Sequence, residues 1–345
     1  MMNVVLSCAP REKLGLYLSL GGACITLGPA FGPVISGLMC TLFGWRAVFV
    51  VPLVGGIAVA AAGVKHVQNV GERSNTTLDI LSVVLLAAGI TAFVYSVGEF
   101  STNLIAGVVA LFAVIVLLGL FAARQLKLVH PVLNVRPMAS VRFWPACSLV
   151  VVSMMTTFSM SVLLPLYFEG AYGMTALVAG LLILPAIACN AVTSIVGGRV
   201  MDARGAWPLL PVGFALIAVG QIAISVTAAS MNIGVVVALT VVVYAGVGLV
   251  LSPSQTAGLE TLSAAEHPHG TALLNTWNMI AASFGPSLFI GLLSSSAATA
   301  GAAGAATDVA QAIGFAAAVR VAAVIAVVGF ATSLVYARRE SHMSH

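Results

Sequence analysis

Long runs of apolar residues alternate with short polar segments along the whole chain. A helix needs about 20 consecutive, mostly apolar residues to cross the hydrocarbon core of a bilayer. Ten runs come near that length or exceed it, and we predict a membrane-spanning helix for each. The predicted spans cover residues 14–40, 46–64, 78–98, 103–123, 143–168, 176–198, 208–229, 233–252, 270–294 and 312–337. The Ala/Gly/Ser-rich run 294–306 predicts a flexible outer loop.

Lysine and arginine residues are confined to alternate gaps between these spans. With the N-terminus placed in the cytoplasm, 12 of the 14 lie in cytoplasmic segments, Arg46 lies in an outer loop, and Arg320 lies within the last span. Basic residues accumulate on the cytoplasmic side of membrane proteins. The distribution therefore predicts a multi-pass protein of the plasma membrane with both termini in the cytoplasm.

The composition supports a protein whose surroundings are a lipid bilayer. Hydrophobic residues make up 60% of the chain, charged residues only 7%, and the mean hydropathy is +1.11. Soluble domains are about 25% charged, so this chain has too little polar surface to face water. No nucleotide-binding Gly-Lys-Ser/Thr loop and no His/Cys/carboxylate cluster is visible, and the five cysteines are scattered. We therefore expect no enzymatic activity, no cofactor, no metal site and no nucleic-acid partner.

The middle of the first span carries an unusual Gly-Pro pattern. Gly28-Pro29 is followed four residues later by Gly32-Pro33, and then by Gly37. Prolines are tolerated in membrane helices where neighbouring groups satisfy the freed backbone, and glycines one turn apart let another helix approach closely. The pattern predicts a kinked helix that serves either close packing alone or the conformational changes of transport.

This segment resembles the fifth helix of the major facilitator superfamily, and in particular its 14-helix drug:proton antiporter branch. The resemblance rests on residues 10–15, 27–33 and 44–46 and on the antiporter motif GxxxGPxxGG. The motif's central Gly-Pro and following glycine are present in 27–33. Cys24 replaces its first glycine and Pro33 its last.

Further segments of the second half resemble the same family in collinear order. They are residues 163–170, 175–185, 197–205 and 267–275, similar to parts of the seventh, eighth and eleventh core helices and of the loop after the eighth. The predicted loop holds Gly198, Arg199, Asp202 and Arg204. We expect a tight cytoplasmic turn, which is either an ordinary solvated loop or a charged latch between helix ends.

The resemblance implies an all-α integral membrane protein with ten transmembrane helices, which form an incomplete major-facilitator bundle with a complete C-terminal six-helix half. Residues 1–70 would be the remnant of the N-terminal half, 71–142 two inserted linker helices, and 143–345 the C-terminal half. The first four helices of the family would be missing, so we expect an N-terminally truncated chain.

Polar residues inside the spans are the candidates for a substrate cavity. They are Thr156, Thr157, Asn190, Gln221, Asn275 and Asn278. Polar groups in lipid must find partners, so these residues serve either hydrogen bonds between helices or a water-filled path. Arg320 is the one basic residue deep in a span and serves either structural pairing and snorkelling or gating.

The resemblance implies a secondary-active transporter that exports a small lipophilic compound in exchange for protons. Two alternatives stay open at this stage. One is a metabolite or sugar permease of the same superfamily, and the other is a membrane scaffold that transports nothing.

Overall fold

The computed structural model describes residues 32, 34–66, 79–99, 104–128, 131–133, 135–140, 143–205, 209–263 and 266–341. Within these ranges the chain forms ten α-helices, joined in places by short 3-10 helices at Trp45–Phe49, Arg136–Ala139 and Ala228–Ser230. The α-helices are α1 Val34–Phe43, α2 Val50–His66, α3 Ile80–Glu99, α4 Leu104–Lys127, α5 Phe143–Tyr172, α6 Ala176–Arg204, α7 Leu209–Thr227, α8 Ile233–Glu260, α9 His267–Ala302 and α10 Thr307–Ser341.

Each predicted span from 46–64 onward overlaps one of these helices, and the first overlaps α1 over 34–40. Eight helices among the described residues are long and apolar enough to cross a membrane, whereas α1 and the apolar part of α3 are shorter. Most of the first predicted span, 14–40, lies outside the described residues. The all-helical fold is thus confirmed, and the number of ten crossings stays a prediction.

The helices near the C-terminus are longer than predicted. The prediction of a flexible loop at 294–306 is wrong, because α9 continues through Ala302 and is followed by a turn at Gly304 (φ +90°). Alanine has the highest helix propensity, so a run rich in it extends a helix beyond the apolar span. With 36 residues, α9 is about 54 Å long, well above the roughly 30 Å of a hydrocarbon core.

Helices α5 to α10 form one bundle with a shared apolar core. Helix α8 packs along α6 and α7, while α10 packs along α5, α7 and α9. The core contains large rings that are fully buried, among them Tyr167, Phe214 and Phe315. Tyr167 and Phe315 stack with ring centroids 4.2 Å apart, which ties α5 to α10.

Glycines bring α7 and α8 to backbone contact. A Cβ atom on Gly246 would lie 2.5 Å from the carbonyl oxygen of Gly213, and one on Gly213 would lie 2.9 Å from that of Gly246. At these two positions only the hydrogen atoms of glycine fit between the two backbones. Such small-residue contacts are typical of helix pairs in membranes, where dispersion forces replace the hydrophobic effect between helices.

The two helices between α2 and the bundle form an antiparallel pair. Helices α3 and α4 pack against each other, and α3 also contacts α9, where the rings of Phe93 and Phe284 lie 5.9 Å apart. Helix α2 differs from both, since nearly all of its described side chains are exposed and none is buried. The pair α3–α4 is called the linker hairpin below.

Candidate functional site

The first half of α1 touches the beginning of α6 through a buried glycine. A Cβ atom on Gly37 would lie 2.6 Å from the carbonyl oxygen of Ala176 and 2.9 Å from the backbone nitrogen of Leu177. The first turn of α6 is capped by Thr175, whose side chain accepts a hydrogen bond from the N–H of Val178 (3.4 Å). The backbone of α1 therefore packs against the capped N-terminus of α6.

The other residues of the predicted Gly-Pro pattern differ in position. Gly32 is exposed, and nothing lies within 4 Å of the place a Cβ atom would take. Gly28, Pro29 and Pro33 lie outside the described residues. Among the described members of the pattern, Gly37 is thus the one in close contact with another helix. This contact cannot be predicted from sequence, because both glycines occupy similar apolar surroundings in the chain.

The expected turn with Gly198, Arg199, Asp202 and Arg204 is part of a helix instead. Helix α6 continues through Arg204 and ends at Gly205, whose N–H donates to the carbonyl of Met201 (2.8 Å) and whose φ is +73°. Glycine adopts this left-handed conformation without strain, which explains why the helix ends there. Arg199 is exposed; for Asp202 and Arg204 only the backbone is described.

The hydroxyl groups along α5 form most of their hydrogen bonds with carbonyl groups of the same helix. Thr157 donates its hydroxyl to the carbonyl of Ser153 (2.8 Å), and Ser161 donates to that of Thr157 (2.8 Å). Ser161 also meets the hydroxyl of Tyr244 on α8 (3.2 Å). Thr156 is buried. These hydroxyls therefore contribute hydrogen bonds within α5 and toward α8 in the arrangement seen here.

Asn190 lies in the contact between α6 and α8. A Cβ atom on Gly248 would meet the Oδ1 of Asn190 at 2.9 Å and would overlap the hydroxyl of Thr193. The two polar side chains thus cover a glycine of the neighbouring helix. For Asn190 the structure shows packing against α8, and the choice between a hydrogen bond between helices and a water-filled path stays a prediction.

Four buried polar side chains of the bundle have atoms without a hydrogen-bond partner. Both amide atoms of Gln221 are unpaired although the side chain is fully buried, as are the Oδ1 of Asn278 and the hydroxyls of Ser159 and Ser254. Leaving a buried polar group unpaired costs about 1–3 kcal/mol. Such groups in native proteins are satisfied by water, by a ligand or by a second conformation.

Two of these unpaired hydroxyls lie next to a glycine in a helix contact or next to a proline inside a helix. Ser159 on α5 faces Gly285 of α9, where a Cβ atom would lie 2.8 Å from the Ser159 Oγ. Ser254 follows Pro253, a proline inside α8. Sequence reasoning missed Ser254, although the Ser-Pro-Ser run 252–254 at the end of the predicted span 233–252 was a visible signal.

Two further candidates have exposed side chains. Asn275 is exposed on the first half of α9. Arg320 is exposed on α10, 13 residues after the helix begins at Thr307, or about 20 Å along its axis. The helix begins five residues earlier than the predicted span, so Arg320 lies further from its end than expected. Within the described ranges, no group of three or more His, Cys, Asp or Glu side chains could hold a metal ion.

Comparisons with known proteins agree with this architecture. The chain resembles the lincomycin resistance protein LmrB of Listeria monocytogenes, with 31% identity over 297 residues, 85% of this chain and 63% of LmrB. It is 31% identical over 338 residues to the MFS-type transporter YcnB of Bacillus subtilis, covering 96% of this chain and 71% of YcnB. The chain thus spans less than two thirds of the length of the lincomycin resistance proteins it matches.

The fold is also found in a solved transporter. The crystal structure of the POT family transporter PepTSo superposes with a TM-score of 0.54 at 15% sequence identity, covering 93% of this chain and 71% of that one. The family model described as Major Facilitator Superfamily matches residues 1–286. The predicted membership of this superfamily is confirmed by this match. The chain belongs to the major facilitator superfamily.

Proposed function

We propose that this protein exports small lipophilic, drug-like compounds by alternating access and that protons moving inward drive the export. The names of its relatives support efflux, since LmrB is a lincomycin resistance protein and a further relative from Mycobacterium tuberculosis is a multidrug resistance protein B homolog. Alternating access requires two groups of helices that rock about a shared site. Here α1 and α2 would belong to one group and α5 to α10 to the other.

The contact of Gly37 with α6 carries this proposal. At Gly37 the three nearest atoms of α6 belong to its backbone. Gly37 itself has no side chain, so this part of the contact can separate and re-form without a rotamer change of its own. With both termini in the cytoplasm, Gly37 and Ala176 lie toward the outer surface, so the contact would close the outer side of the protein and its separation would open it.

The described carboxylates bear on proton coupling. Asp79, Glu99, Glu169, Glu260, Glu266 and Asp308 each lie at or within a few residues of a helix end. A coupling carboxylate needs a buried position that brings its pKa toward neutrality. None of these carboxylates has a fully buried side chain, so we propose that the proton-binding group lies elsewhere in the protein.

An efflux assay tests the proposal. The chain is expressed in bacteria that lack their own drug pumps, the cells are loaded with ethidium, and the fluorescence decrease is followed after energisation. We expect faster efflux than in vector-only cells and loss of the difference when an uncoupler is added. The variant Gly37→Leu should lose efflux, whereas Gly32→Ala, at an open position shortly before α1, should keep it. Ethidium retention equal to that of vector-only cells would refute export of this class of compound.

A further inference from the structure

A chain of hydrogen bonds joins the beginning of α3, the end of α4 and the connector that leads to α5. The carboxylate of Asp79 accepts from the Nε (2.7 Å) and the Nη2 (2.9 Å) of Arg124, and from the hydroxyl of Ser82 (2.5 Å). Gln125 donates its Nε2 to the Ser82 hydroxyl (2.6 Å), and its Oε1 accepts from the backbone N–H of Leu133 (3.1 Å). These five residues are called the hairpin clamp below.

The neutral side chains of the hairpin clamp are buried, and its charged pair is partly exposed, with Asp79 at 16%. Ser82 and Gln125 are 0% and 2% exposed, whereas the side chain of Arg124 is 39% exposed. Every polar atom named above has a partner, and Ser82 acts as donor and acceptor at once. The Gln125 amide satisfies both neighbours in only one orientation. A buried network that is satisfied in this way favours one arrangement of its helices over all others.

Apolar contacts continue from the hairpin clamp into the C-terminal half. Leu133 is buried in a cluster with Phe121 of α4, Phe143 of α5 and Leu274 of α9. Further along the hairpin, Phe93 of α3 packs against Phe284 of α9. The linker hairpin therefore contacts α5 and α9 at its clamped end and contacts α9 again at Phe93. Helix α2, which precedes it in sequence, has no buried side chain among its described residues.

We infer that the linker hairpin is a fixed part of the C-terminal half, and that the hairpin clamp fixes it there. The chain would then consist of two bodies, with the boundary between α2 and α3. This differs from the three-part division 1–70, 71–142 and 143–345 expected from the sequence. One consequence is that the linker hairpin moves together with the C-terminal half during transport. That consequence rests on the proposed function, and the rest of the inference does not.

Distances between spin labels test the hairpin clamp without any transport. In a background with the five native cysteines replaced, labels are placed at two exposed positions, Ile90 of α3 and Met279 of α9. A second pair, Val219 of α7 and Val324 of α10, reports on the six-helix bundle alone. The protein is measured in lipid nanodiscs by pulsed electron spin resonance.

We expect one narrow distance for the Ile90–Met279 pair in the unmodified protein. The variants Gln125→Leu and Asp79→Asn should broaden that distribution at least twofold and leave the Val219–Val324 pair unchanged. Lys127→Gln, at an exposed position two residues from Gln125, is the matched control and should change neither pair.

Three results would overturn the inference. They are a broad Ile90–Met279 distribution in the unmodified protein, an unchanged distribution in both clamp variants, and equal broadening of the two pairs. The last result would mean a general loss of structure instead of a local release. Because no transport is measured, failure of this inference is distinct from failure of the efflux assay.

Discussion

Replacing Gly37 by alanine probes the contact between α1 and α6 with the smallest possible side chain. The added Cβ atom would lie 2.6 Å from the Ala176 oxygen, and ordinary contacts begin at 3.4 Å, so the two helices must separate locally by about 0.8 Å. The three nearest atoms belong to the backbone of α6, so no side-chain rotation can relieve the overlap.

The energetic consequence follows from the size of this shift. A gap of 0.5–1 Å removes about a quarter to a half of the dispersion attraction across the contact, and overpacking costs about 1–3 kcal/mol in well-packed sites. If the contact closes the outer side, this cost shifts the equilibrium toward the outward-open state by about 5- to 150-fold. Gly37→Leu should shift it further.

Thiol labelling measures the shift directly. A cysteine introduced at Leu177, which is partly buried beside the contact, is exposed to a membrane-impermeant maleimide in a background without other cysteines. We expect Gly37→Ala to raise the labelling rate at least fivefold and Gly32→Ala, an open position shortly before α1, to leave it unchanged. Equal rates in the unmodified protein and in both variants would refute the role of Gly37 as a closing contact.

Three further predictions concern stability. Gly246→Ala places a Cβ atom 2.5 Å from backbone of α7 and should lower the midpoint of thermal unfolding in detergent by several degrees, whereas Gly198→Ala, with nothing within 4 Å, should leave it nearly unchanged. A smaller effect at position 246 than at 198 would contradict the close packing of α7 and α8. Hydrogen bonds from Arg124 and Ser82 lower the pKa of Asp79 to about 2, below its ordinary 3.8. The ion pair with Arg124 therefore stabilises the fold fully above about pH 4, and this stabilisation is lost as the pH falls through 2. Between pH 5 and 2 the free energy of unfolding should fall less steeply with decreasing pH in Asp79→Asn than in the unmodified protein. An equal slope in the two proteins would show that the pair is not formed. Gln221→Leu removes a buried amide that has no partner, so thermal unfolding should occur at the same or a higher temperature; a clear drop would show that water or another group pairs with the amide.

The hydrophobic pattern predicts much of the fold because lipid imposes a strict rule. Backbone groups inside the bilayer must be paired within the chain, so a long apolar run can only be a helix. The predicted and observed helices begin at the same residue at 143, 176 and 233. The pattern is less informative about where helices end. It shows where the chain leaves the lipid, whereas α6 and α9 continue past that point and end at or just before glycines in left-handed turns, Gly205 and Gly304.

The sequence also identifies the family, because the family's motifs occur along the chain in the family's order and can be read without knowing how the helices pack. It could not separate Gly37 from Gly32, or Gln221 from Asn275, because the members of each pair are the same or similar residues in similar apolar runs. What separates them is the helix that lies opposite, such as the first turn of α6 against Gly37. That neighbour is set by the packing of distant segments, and only the tertiary structure decides it.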